Sequence, residues 1–272
     1  MTGNTGRALT AQEIKKCQLD VLEEIHAFCL RNNLKYYMVY GTLIGAVRHQ
    51  GYIPWDDDID IAMPREDYDC FIKTFNGSKP EVSKCIHFSI EPGYYLDFAK
   101  VYDKRTRLIE LVNKPVEIGA YIDVFPIDVM PDDTAQAQAH LRKILEQEKL
   151  LRKHNQTGSG KGRALKSLVH DLERLPLKGN RLQCIRKIEE LGTAFRGQKT
   201  GHVSIAVGGF ALLKDYVPAE WYAEPVLVPF EGTQFCAPAK AHELLTHWYG
   251  DYMTLPPEQE QQSHHIYNAF WK

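Results

Sequence analysis

The run Asp58-Ile59-Asp60-Ile61-Ala62-Met63 alternates acidic and apolar side chains before turning wholly apolar. A period of two is the signature of a strand, because successive side chains point to opposite faces. Such a strand must lay Ile59, Ile61 and Met63 toward a core and present Asp58 and Asp60 together. Two carboxylates at i and i+2 repel one another unless a cation lies between them. Hard oxygen ligands of this kind suit Mg²⁺ or Mn²⁺. A solvated acidic turn is the plainer reading, but the apolar partners favour acids held on a core strand. A calcium loop counted from Asp56 fails, because Ile61 stands where glycine is required and Asp67 where glutamate is required.

The residues ahead of the acids narrow the chemistry. Lys35 to Tyr40 reads as a strand, Gly41-Thr42 opens a short helical segment over Leu43 to His49, and Gly51 to Pro54 makes a turn. A helix start presents unpaired backbone N–H groups that suit phosphate oxygens. One Gly-Thr pair is weak evidence, since most are simple turns. A strand, Gly-Thr, a short helix and an Asp-x-Asp strand in succession put a phosphate cradle beside a metal site. Phosphoryl and nucleotidyl transfer both need that arrangement.

The rest of the first half continues in the same style. Thr10 and Glu13 form a capping box for a helix through Leu30, with Ile14, Cys17, Val21, Ile25 and Phe28 on one face. Pro64 suits the first position of a further helix. Strands are expected over Ile86 to Ile90, Tyr94 to Val101, Arg107 to Val112 and Ala120 to Phe125. The second half changes character. Helices are expected over Thr134 to Asn155, Arg163 to Arg174, Asn180 to Phe195 and Ala239 to Tyr249, with a flexible loop at Gly158 to Gly162. Strands are expected at Val203 to Val207 and Val226 to Phe235, and an irregular tail from Leu255. The predicted fold class is α+β: a mixed-sheet catalytic core over residues 1–133, with residues 134–272 as a helical region and C-terminal segment packing on it.

Composition removes other classes. The net charge is −2 and no long basic run occurs, which argues against a nucleic-acid partner. No stretch of apolar residues is long enough to span a bilayer, and the polar segment Met1 to Thr10 lacks the core of a secretory signal. The six cysteines, Cys17, Cys29, Cys70, Cys85, Cys184 and Cys236, include no Cys-x-x-Cys pair. They read as thiols of a reducing cytoplasm, without disulfides or a zinc site.

The segment Tyr40-Gly41-Thr42-Leu43-Ile44-Gly45-Ala46-Val47-Arg48-His49, followed by Gly51-Tyr52-Ile53-Pro54-Trp55-Asp56-Asp57-Asp58-Ile59-Asp60, resembles the signature of the LicD family. That family contains bacterial phosphocholine transferases, with fukutin and fukutin-related protein as relatives. Tyr121 to Asp128 is similar to its second block. Phe230-Glu231-Gly232, Tyr249 to Met253, Pro256-Pro257 and His264-His265 resemble its C-terminal blocks, whereas nothing familiar lies between about Leu145 and Lys199. The resemblance implies a nucleotidyltransferase-like core. It also implies transfer of a phospho-alcohol, phosphocholine foremost, from a CDP-alcohol such as CDP-choline to a hydroxyl of a glycan or glycolipid, with CMP released. Teichoic acid and lipopolysaccharide are the bacterial acceptors it suggests. The implied location is cytoplasmic, with the inner face of the membrane open to peripheral contact. The implied metal ligands are Asp58 and Asp60, with Asp123 as a third carboxylate on a neighbouring strand. The zinc-binding cysteines of fukutin-related protein have no counterpart here.

Roles follow, each beside its plainer reading. Asp123 is a metal ligand and acceptor-proton base, or one half of a structural salt bridge. Lys100 neutralises donor phosphates or faces solvent. Arg48 and His49 bind donor or cap a helix end. His264 and His265 are weak ligand candidates. For a choline group, Tyr52, Trp55, Tyr94, Tyr95 and Trp248 are the aromatic candidates. The competing functions are an Asp-x-Asp glycosyltransferase, a nucleotidyltransferase proper, and an inactive nucleotide-binding scaffold.

Overall fold

The computed structural model describes residues 6–110, 116–156, 180–209, 213–262 and 267–272. Helix α1 spans Ala11–Asn32. Thr10 and Glu13 make the reciprocal capping box at its start, and Asn33 ends it in the left-handed conformation at φ 53°. Asparagine tolerates that region at low cost, which is why it replaces glycine here. Val21, Leu22, Ile25 and Phe28 are buried against the sheet. Each fully buried apolar side chain of this size contributes about 1.5–3 kcal/mol.

The main sheet runs β1 (Tyr37–Met38), β2 (Asp60–Pro64), β6 (Tyr121–Met130), β4 (Ala99–Asp103), β3 (Ser83–Ile86) in spatial order. Strand β5 (Thr106–Glu110) lies outside it. Strands β2 and β6 are parallel, whereas β1–β2, β6–β4 and β4–β3 are antiparallel, so the sheet is mixed. Helix α2 (Tyr40–Ile44) follows β1 and continues as one wide helical turn over Gly45–His49. Helix α3 (Arg65–Thr74) leaves β2. The far half of β6 pairs with β7 (His202–Ser204), which pairs with β8 (Val217–Pro218). Helices α4 (Thr134–Gln156) and α5 (Arg181–Gly192) pack on each other, α5 opening with a second capping box between Asn180 and Gln183. Strands β9 (Val226–Phe230) and β10 (Thr233–Ala237) form a hairpin, and α6 (Ala241–Tyr249) follows. The protein is therefore α+β, and its main hydrophobic core draws residues from Val21 through Tyr252.

Several expectations need correction. Asp58 lies outside the strand, which begins at Asp60, so the acids are split between a loop and a strand. Pro64 closes β2 and stands just before α3 rather than within its first turn. The strand expected over Lys35 to Tyr40 is reduced to two residues, because Tyr40 already turns into α2 at φ 51°. The strand expected over Ile86 to Ile90 is β3, which ends at Ile86. Strand β4 starts at Ala99, after a turn in which the Tyr94 N–H reaches the Glu91 carbonyl at 3.2 Å. Val226 to Phe235 is a hairpin: Glu231 and Gly232 both adopt positive φ, the two-residue turn that matches strand twist. The tail is not irregular throughout. Strand β11 (Tyr267–Trp271) pairs with β5, an association over long sequence separation that no local pattern announces. The expected Gly158 to Gly162 loop, the Arg163 to Arg174 helix, and His264 and His265 lie outside the described residues.

Candidate active site

Register across the sheet builds the centre of the site. Asp60 on β2 lies opposite Asp123 on β6, and Asp123 lies opposite Lys100 on β4. Three chemically active side chains thus form one row across three adjacent strands. Lys100 is buried at 3% exposure, which removes the solvent-facing reading. Its ammonium pairs with Asp123 Oδ1 and sits 3.4 Å from the centroid of the Tyr121 ring. A buried lysine survives only with such partners.

The remaining acids come from the loop before β2. Carboxylate oxygens of Asp56, Asp57 and Asp58 lie within 4.8 Å of one another. Burial, and then the charges of Asp58, Asp123 and Asp56, hold the Asp60 carboxyl well above the usual carboxylate range, with Lys100 acting against them. The site is an anionic, all-oxygen donor set with one buried cation beside it. These residues fit Mg²⁺ or Mn²⁺, the ions implied by the family resemblance.

Local structure explains how the loop is held. Thr42, buried in α2, accepts the backbone N–H of Asp60 through Oγ1 at 2.8 Å. Gly41 leaves room for the acidic loop: a Cβ there would lie 2.6 Å from Asp56 Oδ2 and would displace that carboxylate. Gln18, buried on α1, donates to the carbonyl of Asp57 at 2.8 Å and to that of Tyr121 at 3.3 Å, so one amide joins the acidic loop to the start of β6. The β9–β10 turn closes the other side. Glu231 Oε1 accepts the Tyr52 N–H at 3.0 Å, and the Glu231 N–H donates to the Gln50 carbonyl at 2.9 Å. Gly232 at φ 80° permits that tight turn.

Arg48 ends the wide turn after α2. Its Nε donates to His49 Nε2 at 2.9 Å, and its Nη1 donates to the Tyr252 carbonyl at 2.5 Å. It therefore ties the signature helix to the segment after α6. Tyr52 is taken up by Gln18, Lys15 and Phe230, and Trp55 by an edge contact with His49. Tyr94 is buried in a second small core, and Tyr95 lies close enough to Asp123 for its charge to raise the Tyr95 phenol, after burial. Sequence reading missed Gln18. A glutamine on the apolar face of an amphipathic helix was the available signal.

Comparison with known proteins places the chain in a family. The chain matches the family described as LicD/FKTN/FKRP, nucleotidyltransferase domain, over residues 33–184. It is 30% identical over 281 aligned residues to the lipopolysaccharide cholinephosphotransferase LicD of Haemophilus influenzae, covering 97% of this chain and 99% of that relative. Two uncharacterized rickettsial proteins are similar over shorter stretches. One from Rickettsia prowazekii is 40% identical over 68 residues, 22% of this chain and 26% of its own. One from Rickettsia typhi is 51% identical over 47 residues, 17% of this chain and 15% of its own. No helix among the described residues is long and apolar enough to cross a membrane.

Proposed function

The chain belongs to the LicD family, and we propose that it transfers phosphocholine from CDP-choline to a hydroxyl of a cell-surface glycan such as lipopolysaccharide, releasing CMP. The observation that carries this reading is the cross-strand row Asp60, Asp123, Lys100 beside the Asp56–Asp58 loop. The similarity to a cholinephosphotransferase along nearly the whole chain supports the choice of alcohol.

In this reading Asp58 and Asp60, with Asp123, are the residues that would hold a divalent cation, which would supply charge neutralisation for the donor phosphates. The backbone N–H groups at Gly41 and Thr42 face the donor phosphates, and Arg48 adds positive charge at the end of the same helical segment. Lys100 engages Asp123 Oδ1 and so fixes the carboxylate. Asp123 Oδ2 then receives the proton of the acceptor hydroxyl. The acceptor oxygen attacks the phosphorus bearing choline in line, the bond from phosphorus to the bridging oxygen breaks, and CMP departs with the electron pair. The reaction fits a cytoplasmic enzyme working on an acceptor at the inner face of the membrane.

Incubation with Mg²⁺, CDP-choline and a lipopolysaccharide acceptor tests this directly. The expected products are CMP and acceptor carrying phosphocholine, identified by mass. Release of CDP, as from a glycosyltransferase, or of pyrophosphate from a nucleoside triphosphate, as from a nucleotidyltransferase proper, overturns it.

A further inference from the structure

We propose that Asp215, enclosed by Tyr40, Tyr222, Trp248 and Tyr249, is the box that recognises the quaternary ammonium of the transferred alcohol. The inference rests on the transfer reading above and adds to it the residues that select the substrate.

Four elements converge here. Tyr40 opens α2, Trp248 and Tyr249 end α6, Tyr222 ends the short turn Ala219–Tyr222, and Asp215 ends the short turn Leu213–Asp215. Asp215 is 2% exposed. Its Oδ1 accepts the Tyr40 hydroxyl at 3.1 Å. Its Oδ2 has no hydrogen-bond partner among the described residues, and no lysine or arginine among them forms an ion pair with it. A buried carboxylate oxygen without a donor is costly unless a cation completes it. Burial accordingly pushes the Asp215 carboxyl up to about 7.

The surroundings select the kind of cation. The Trp248 ring lies 4.7 Å from the Tyr40 ring, centroid to centroid, at 32°. The phenol of Tyr222, buried and without a hydrogen-bond partner among the described residues, feels the Asp215 charge. An ammonium with N–H groups asks for several acceptors. A quaternary ammonium has none to satisfy and is held by ring faces and one counter-charge. Tyr249 links the box to the chemistry. Tyr249 is 44% exposed, and burial, then the charges of Asp60, Asp215, Asp56 and Asp58, raise its phenol. Tyr249 therefore lies near enough to Asp215 and to the acids that would hold the donor phosphates to feel the charge of both. Among the aromatics expected for choline, only Trp248 belongs to it.

Tyr40 adds an independent sign. It is a non-glycine residue at φ 51°, a conformation that costs of order 1–3 kcal/mol and persists where the surroundings enforce it. The strained backbone aims its hydroxyl at Asp215.

Calorimetric titration of the full-length protein with CDP-choline, CDP-glycerol and CMP tests the box. Wild type should bind CDP-choline at least about tenfold more tightly than CMP, since a desolvated cation–π contact contributes about 2 kcal/mol. Asp215→Asn keeps the acceptor for Tyr40 and should lose about tenfold or more toward CDP-choline with CMP affinity unchanged. Tyr249→Phe, retaining the ring face, should bind as wild type, and Tyr249→Ala should weaken severalfold. Thermal unfolding establishes that each variant is folded. A folded Asp215→Asn protein with wild-type affinity for CDP-choline overturns the proposal. So does a wild-type preference for CDP-glycerol, or a Tyr249→Phe loss equal to that of Tyr249→Ala, because either outcome makes this a polyol site. Selective choline binding with CDP or pyrophosphate released would leave the box standing and remove the transfer reading instead.

Discussion

Lys100 on β4 and Asp123 on β6 stand opposite each other in the sheet and close a largely buried ion pair under the ring of Tyr121. The pair anchors the acidic row at the end away from β2. Removing one partner strands the other in a site that already holds Asp60.

Lys100→Met should therefore destabilise the fold by about 3 kcal/mol, the usual cost of an orphaned buried charge, and should abolish transfer. Adding Asp123→Asn to that variant should restore most of the stability and none of the activity. A double-mutant cycle by urea denaturation measures the coupling. Additive effects would mean that the two groups do not depend on each other.

A second buried pair does purely structural work. Arg65 at the start of α3 donates from Nε and Nη2 to the two oxygens of Asp128 on β6, each at 2.7 Å, and from Nη1 to Glu189 on α5 at 2.9 Å. Both Arg65 and Asp128 are almost fully buried. Asp128→Ala should cost about 3–5 kcal/mol, because it strips a buried guanidinium of its bidentate partner and leaves it Glu189 and a longer pair with Asp69 at 3.6 Å. Denaturant midpoints should show it, while any protein that remains folded keeps its donor affinity.

The pH dependence of stability should carry the mark of Glu148. This α4 residue is buried beside Asp97, and its Oε1 accepts the Gly209 N–H at 2.5 Å. Burial, then the Asp97 charge, pushes the Glu148 carboxyl up to about 8. Burial also raises Asp97. The folded state then holds a proton that the unfolded chain releases near pH 4.3. Stability from this group is present below that value and is lost as pH rises to about 8. Glu148→Gln keeps an acceptor for Gly209 and cannot ionise. Its stability, measured by denaturation from pH 5 to 8, should fall less steeply than that of the wild type. Parallel curves would show that Glu148 titrates normally.

How far the sequence spoke for itself depends on whether each feature is local. The Thr10–Glu13 capping box, the long helix from Thr134 and the α+β class are written in short-range patterns, and they are present. Sequence reading also placed Asp123 on a strand neighbouring the Asp-x-Asp segment, and the register puts it opposite Asp60. The assignment of Asp58 to that strand failed because hydrogen-bonding partners, rather than alternation, decide where a strand begins. Lys100 was ambiguous for a related reason: alternation assigns faces but not which face another element covers. Asp215 and the β5–β11 pairing were invisible, because each acquires its meaning only from residues far along the chain, and Gln18 showed only as a polar residue on an apolar helix face.

Thr42 offers the sharpest separation of positioning from binding. Its hydroxyl is the acceptor for the Asp60 N–H at the first residue of β2, so it sets where the Asp60 carboxylate stands. Thr42→Val keeps shape but removes the acceptor, and a buried N–H without a partner costs about 1–3 kcal/mol. Thr42→Ser keeps the acceptor. If the backbone at Gly41 and Thr42 faces the donor while the hydroxyl only positions Asp60, Thr42→Val should lower kcat by tenfold or more with little change in donor affinity, since a 1.4 kcal/mol loss of transition-state stabilisation is already tenfold. Thr42→Ser should recover most of it. Asp60→Asn should remove turnover altogether, while the metal-free protein unfolds at the same or a higher temperature, because a carboxyl pushed up by burial and by three neighbouring acids opposes folding when ionised. Turnover by Asp60→Asn at the wild-type rate would take Asp60 out of the chemistry. A Thr42→Val loss confined to donor affinity would make Thr42 a donor contact rather than the residue that places Asp60.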